Sequence, residues 1–337
     1  MKKLVALFLA LVLSLSCVSA FAESKELSMY AALTEDELPT YFSAFEKATG
    51  IHVNYVRLSA GEMVSRLIAE KDNPQVSIIF GGGSESFITA EKQGLLLPYT
   101  ANGIENIPAE YVTSEYWTPF YLAILCFAVN CEWFEENNME YPKTWDDLLN
   151  PAFKDMIIMA HPSTSGVSSN ILTSMVQLKG EDEAFEYFRQ LKDVVPYFAK
   201  ASSSAPSSVA LGEAAIGLTV DSDTLKYMNE GYNMDFVFPD PTFVDIGAVA
   251  IVANGPEDEL ENAKAFIDWM ISVDGQNQFI YSGSTRMPLN VNAEISEGLK
   301  PLSSANVFNA DRVRSGEERA ELIQKFIEQV DDATTLK

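Results

Sequence analysis

Two hydrophobic periods alternate along this chain. Leu27 to Ala32 is a short apolar run and reads as a strand. Thr34 and Glu37 then stand as a capping-box pair. Leu38, Tyr41, Phe42 and Phe45 recur at i, i+3, i+4 and i+7 before Gly50, the pattern of an amphipathic helix with its stop. Ile51 to Val56 predicts a second strand, Ser59-Ala60-Gly61-Glu62 leads a helix to about Lys71, and Val76 to Phe80 predicts a third strand. Such alternation predicts a parallel sheet flanked by helices. The third strand ends in Gly81, Gly82 and Gly83, and Ser84 opens a run of helical composition. Bare backbone followed by the first amides of a helix suits a small polar or anionic ligand; the plainer reading is a tight turn. Open α/β sheets bind ligands beyond the carboxyl ends of their strands, where the segments after Ala32 and Phe80 both lie.

The second half repeats this design. A long apolar run spans Phe120 to Val129, Thr144 caps a helix through Leu149, and Met156 to Ala160 predicts a buried strand. The loop His161-Pro162-Ser163-Thr164-Ser165-Gly166 then leads a helix to about Leu178. Residues 201–208 read as a loop and cap, Ala214 to Val220 as a strand, and Asp221-Ser222-Asp223 lies just past its carboxyl end. From Asp245 the pattern gives a strand at Ala248 to Val252, an amphipathic helix Glu257–Ile271, a shorter one near Gly275, and a final acidic helix from about Glu317 to Val330. No low-complexity linker or tandem repeat separates the halves. Two α/β lobes joined by strands, with ligand loops from both facing a cleft, describe a hinge-closing binding protein.

The N-terminus and the charge narrow the class. Lys2 and Lys3, an uncharged apolar stretch from Leu4 to Val18, and Ala20-Phe21-Ala22 predict a secretory signal cut after Ala22. Cys17 invites a lipid anchor, but Ser14 stands where a lipobox wants leucine, so a periplasmic or extracytoplasmic protein is expected. The formal net charge is −25 in 337 residues, a surface that repels nucleic acid. Cys126 and Cys131, if on one strand, lie on opposite faces about 16 Å apart. Free thiols are expected, with a disulfide open only if a turn at Asn130 draws them together. Two histidines, His52 and His161, and no zinc-spaced Cys/His cluster give no reason to expect a metal or cofactor.

Four segments in this order carry a resemblance: Ser59-Ala60-Gly61-Glu62 through Phe80-Gly81-Gly82-Gly83, Pro142-Lys143-Thr144-Trp145-Asp146-Asp147-Leu148, Ser163-Thr164-Ser165-Gly166, and Asn262-Ala263-Lys264-Ala265-Phe266-Ile267-Asp268. The chain resembles the periplasmic substrate-binding components of ABC importers, in the branch of ferric-iron, thiamine, phosphonate and hexose-phosphate binders. The resemblance implies a two-lobed, type II-like α/β fold, each lobe a mainly parallel sheet flanked by helices, with the ligand cleft between. Lobe 1 is expected at 24–125 plus 246–296 and lobe 2 at 126–245 plus 297–337. It also implies a monomer that delivers a small ligand to a membrane permease.

On that resemblance the ligand residues can be assigned. Iron binders carry adjacent tyrosines where this chain has Asp221-Ser222-Asp223, which leaves ferric iron held by carboxylates as the alternative. Hexose-phosphate binders hold phosphate on a Thr-Ser-Gly loop, matching Thr164, Ser165 and Gly166, and sugar hydroxyls on acids matching Asp223 and Asp245. They have histidine at Ser222 and an apolar residue at Asp221, so the additional carboxylate suggests a ligand bearing an amine. Ala32, Gly82, Gly83 and Ser84 complete the candidate set through their backbone. Each has a plainer reading: the hydroxyls cap a helix, the acids sit in a turn, and Ala32 ends a strand. The rival class is a secreted hydrolase using Ser165 or Ser84 with His161, but neither serine lies in a Gly-x-Ser-x-Gly elbow.

Overall fold

The computed structural model describes residues 25–331, so the expected signal segment 1–22 and Cys17 lie outside it. Eleven strands run β1 (Glu26–Ala31), β2 (His52–Arg57), β3 (Ile78–Gly83), β4 (Leu96–Leu97), β5 (Thr118–Asn130), β6 (Ile157–Ala160), β7 (Phe198–Ala199), β8 (Ile216–Val220), β9 (Met234–Val237), β10 (Val244–Val252) and β11 (Met287–Pro288). The helices are α1 (Leu38–Thr49), α2 (Ala60–Ala69), α3 (Ser84–Lys92), α4 (Cys131–Glu136), α5 (Gly166–Lys179), α6 (Glu181–Lys192), α7 (Ser204–Ala210), α8 (Asp221–Asn229), α9 (Leu260–Met270), α10 (Val273–Gln276), α11 (Gln278–Tyr281) and α12 (Arg312–Gln329). No described helix is long and apolar enough to cross a membrane.

The strands follow the order β2-β1-β3-β10-β5-β8-β6-β7. The outer ladders, β2-β1-β3 and β8-β6-β7, are parallel, as strand–helix alternation requires. Between them, β10 and β5 pair antiparallel with each other and with their outer neighbours. Both are near-continuous apolar runs, because helices cover both faces. One core gathers Leu27 to Leu122 with Ile246 to Leu289, around Phe80 stacked on Phe120 at 4.9 Å. A second gathers Leu125 to Phe243 with Leu322 to Val330 of α12. The change of core falls at residues 122–125 of β5 and 243–246 of β10.

Local chemistry explains the boundaries. Ser59 and Glu62 form a reciprocal capping box at α2, and Gly50 closes α1 at a φ of 73°. Four expectations need correction. Thr34 and Glu37 do bond, but Glu37 caps nothing, because its carboxylate turns to Arg286. The three glycines are not a loop: they continue β3 as its last residues, and α3 begins at once. Residues 204–210 are helical, and α12 starts five residues before Glu317, with Asp311 accepting from the Arg314 amide. Cys126 is buried and Cys131 opens α4, both free thiols.

The crossing strands leave no room at one point. A Cβ on Gly247 of β10 would stand 1.7 Å from the Tyr121 ring of β5. Gly247→Ala is expected to lower stability by about 1–3 kcal/mol or more, read as a lower urea midpoint. An unchanged midpoint would mean that the Tyr121 ring does not cover Gly247.

Candidate functional site

The strand ladders bring the predicted segments to one edge. Ala31 is opposite Arg57 and Phe80, so the chain leaves β1, β2 and β3 side by side. Ile157 pairs with Ile216 and Ala160 with Ala199, which places the segments after β6, β7 and β8 together in the same way. Asp245, at the start of β10, lies at the end of β3 because Gly247 pairs with Gly83.

Between these edges lies a cavity of about 150 Å³ lined from both lobes. Thr34, Glu37 and residues 282–286 form one wall, and Ser203, Ser222, Asp223 and Lys226 the other. Its centre is Arg286. The guanidinium lies 5.0 Å over the Tyr121 ring, donates from Nη1 to Ser284 Oγ at 2.9 Å, and pairs with Glu37. Thr34 and Tyr41 hydroxyls donate to the same Glu37 carboxylate. Burial is the largest single influence and pushes that carboxyl up, but Arg286 and the two hydroxyls together outweigh it and hold it below the ordinary range. The lobes also touch directly: Thr285 Oγ1 donates to the Ser222 carbonyl at 2.5 Å, and Lys226 approaches Asp36 at 3.5 Å.

Asp223 lines this cavity, with its pKa raised by burial against the pull of Arg286. Asp221 does not line it. That residue is wholly buried at the first turn of α8, where Oδ1 accepts from the amides of Ile124 at 3.0 Å and Ser222 at 2.8 Å, and Oδ2 has no partner. Burial raises its pKa to about 7. Ile124 stands at the change of core, so Asp221 ties α8 to the hinge.

A second charged group surrounds Asp245. A Cβ on Gly83 would lie 2.5 Å from Asp245 Oδ2, so the Asp245 carboxyl closes on the chain where β3 passes into α3. The nearby Ser84 amide draws its pKa down. Burial raises the Asp245 pKa, with Arg312 and Arg319 pulling it down. Glu85 is raised to about 7, chiefly by burial, with Arg319 at 3.6 Å opposing. Arg312 and Arg319 belong to α12 and reach across to Val244 O and Ser169 Oγ.

The backbone candidates divide accordingly. The reading of Ala32 as an amide donor is corrected, since its N–H is spent on Phe80 O at 2.8 Å. Gly82 has φ 84°, and Ala60 Cβ would lie 2.9 Å from an added Cβ, so its bareness serves chain packing. Gly83 and Ser84 face Asp245. Thr164 and Gly166 are exposed at the start of α5, whereas Ser165 is buried and accepts from the Ser168 amide as N-cap. His161 is a loop-packing residue: its Nδ1 accepts the Ser163 amide at 3.0 Å and its ring packs edge-on to Phe198 and Phe326. A larger cavity of about 440 Å³, between α3, residues 110–117 and the start of α12, holds none of the predicted residues.

Sequence reasoning missed Arg286, Arg312, Arg319, Glu85 and the part played by Glu37. One signal existed for Arg286: it is a lone cation between Ser282-Gly283-Ser284-Thr285 and Met287-Pro288 in a strongly acidic chain.

Comparison with known proteins agrees with this fold. Residues 74–316 match the family described as bacterial extracellular solute-binding protein. An uncharacterized protein of Haemophilus influenzae is 30% identical over 324 residues, covering 93% of each chain. A putative 2-aminoethylphosphonate-binding periplasmic protein of Salmonella paratyphi A is 26% identical over 247 residues, 70% of this chain and 69% of its own. The fructose-6-phosphate-bound structure of AfuA from Actinobacillus pleuropneumoniae superposes with a TM-score of 0.83 at 28% identity, covering 92% of this chain and 100% of that one. Iron-bound HitA from Pseudomonas aeruginosa shares the fold with a TM-score of 0.80 at 21% identity, over 89% and 98%.

Asp221 sets a pH dependence. A carboxyl raised to about 7 binds its proton more tightly in the folded chain than in the unfolded one. Its contribution to stability is complete at low pH and is lost as pH rises from about 4 towards about 7. Asp221→Asn keeps the acceptor oxygen and removes the titration, so its melting temperature should fall less across that window than the wild type's. Parallel curves for the two proteins would refute the assignment.

Proposed function

Because the chain belongs to the bacterial extracellular solute-binding proteins, we propose that it is the capture component of an ABC importer for a small phosphate-bearing organic ligand of the hexose-phosphate or aminophosphonate kind. One observation carries the phosphate assignment. Thr164 and Gly166 are exposed at the start of α5, fourteen residues long, and helix geometry leaves the first-turn amides of Gly166 and Val167 without an intrahelical acceptor. The two amides suit the acceptor-only oxygens of a phosphate, and the Thr164 hydroxyl, which donates to His161 O at 3.2 Å in the absence of ligand, has only to turn to join them. The remainder of the ligand lies against Asp223, with Gly83, Ser84 and Asp245 at the hinge floor.

The division of the two cores supports lobes at 24–125 with 246–296 and 126–245 with 297–337. Ligand contacts made only when these lobes meet shift the population to the closed form, the state offered to a membrane permease. The protein works as a monomer, and its acidic surface keeps it from nucleic acid. The N-terminal segment 1–22 serves as an export signal.

Ferric iron held by carboxylates is the weaker reading. Of Asp221 and Asp223, which that reading would use, only Asp223 lines the cavity, and the other carboxylates there, Glu37 and Asp36, are paired with Arg286 and Lys226. Hydrolysis is weaker still, because Ser165 is buried as the N-cap of α5 and the His161 Nδ1 partners are the amide and hydroxyl of Ser163, not Ser165 or Ser84.

Thr164→Glu puts a carboxylate where the phosphate is proposed to sit, while Ser165 remains to cap the helix. Thermal-shift measurements with glucose 6-phosphate and 2-aminoethylphosphonate should show stabilisation of the wild type and none of the variant. A ligand-induced shift preserved in the variant would remove phosphate from the start of α5.

A further inference from the structure

The cavity between the lobes presents five charged side chains: Asp36, Glu37, Asp223, Lys226 and Arg286. Four of them cancel in pairs, Asp36 with Lys226 at 3.5 Å and Glu37 with Arg286. Asp223 is left over, with no ion pair among the described residues. Arg286 and Lys226 draw on it only through space, with no contact. That guanidinium is held by Glu37 and Ser284 and lies over Tyr121. Behind Asp223, Thr219 Oγ1 and Asp221 Oδ2 are both buried without a hydrogen-bond partner. Among the charged side chains that line the cavity, the unmatched charge is negative.

We infer that the end of the ligand remote from its phosphate is a primary ammonium group, received by Asp223. The inference rests on the phosphate reading above and chooses among its ligand kinds. An ammonium carries three donors, no acceptor and one positive charge, which is what the corner lacks. A sugar hydroxyl supplies a donor but leaves the charge unbalanced in a partly desolvated cleft, where an unpaired carboxylate is costly. The arrangement also rewards closure. Asp223 stands on α8 in one lobe, and the Glu37–Arg286 pair that walls the cavity stands in the other, so only the closed form shields the ammonium–carboxylate contact from water.

The test is calorimetric titration of the exported full-length chain with two matched pairs, 2-aminoethylphosphonate against ethylphosphonate and glucosamine 6-phosphate against glucose 6-phosphate. The aminated member should bind about tenfold or more tightly than its partner in at least one pair. In Asp223→Asn that ratio should collapse towards one, with an unchanged melting temperature in the absence of ligand showing that the fold is kept. Binding without preference for the amine, or a preference that survives Asp223→Asn, overturns the inference and leaves the phosphate reading standing. Absence of binding to all four compounds overturns both.

Discussion

Two strands that belong to both lobes are the constraint on which the rest depends. β5 and β10 pair antiparallel through Val244 and Ile124, Asp245 and Ala123, and Ile246 and Leu122, and each passes from one core into the other within those few residues. A paired two-strand crossing bends more readily than it shears, because sliding by one residue would turn every buried side chain to the wrong face. The lobes can therefore approach only as the ladder allows. Everything placed at the ladder's middle, Asp221 through the Ile124 amide and Asp245 through the end of β3, moves least when the lobes move most.

The charge distribution follows from that geometry. Outside, the chain is strongly acidic and keeps its solubility through repulsion. Inside the junction, cations are few and each is committed: Arg286 to Glu37, and Arg312 and Arg319 to the neighbourhood of Asp245 and Glu85. Buried pairs of this sort add little to net stability, since desolvation consumes most of the attraction. Their value is geometric. Arg286 restrained by a carboxylate, a hydroxyl and an aromatic face is a fixed wall rather than a mobile arm.

How much of this was legible in the sequence depended on distance along the chain. The α1 stripe of Leu38, Tyr41, Phe42 and Phe45 and the Ser59–Glu62 cap are local, and both stand in the structure as they read in the sequence. Thr34 and Glu37 show the limit of such reading: their spacing is that of a cap, yet Glu37 answers to Arg286, 249 positions away. No local pattern encodes that pairing. Gly83 shows the same limit. Its lack of a side chain looked like room for a ligand, and only the fold could bring Asp245 into that room. The crossing of β5 and β10 was implied by resemblance rather than by periodicity, because an apolar run does not say which core it fills.

The carboxylate of Asp245, closed against Gly83 at the start of α3, has one further consequence. Tethered beside its site, it acts at an effective concentration of roughly millimolar or above, whatever the composition of the surrounding medium. A dilute, singly charged anion therefore meets an occupied seat. Only a guest that brings additional contacts can displace it, and the molecule carries its own threshold against the simple salts among which it must find its ligand.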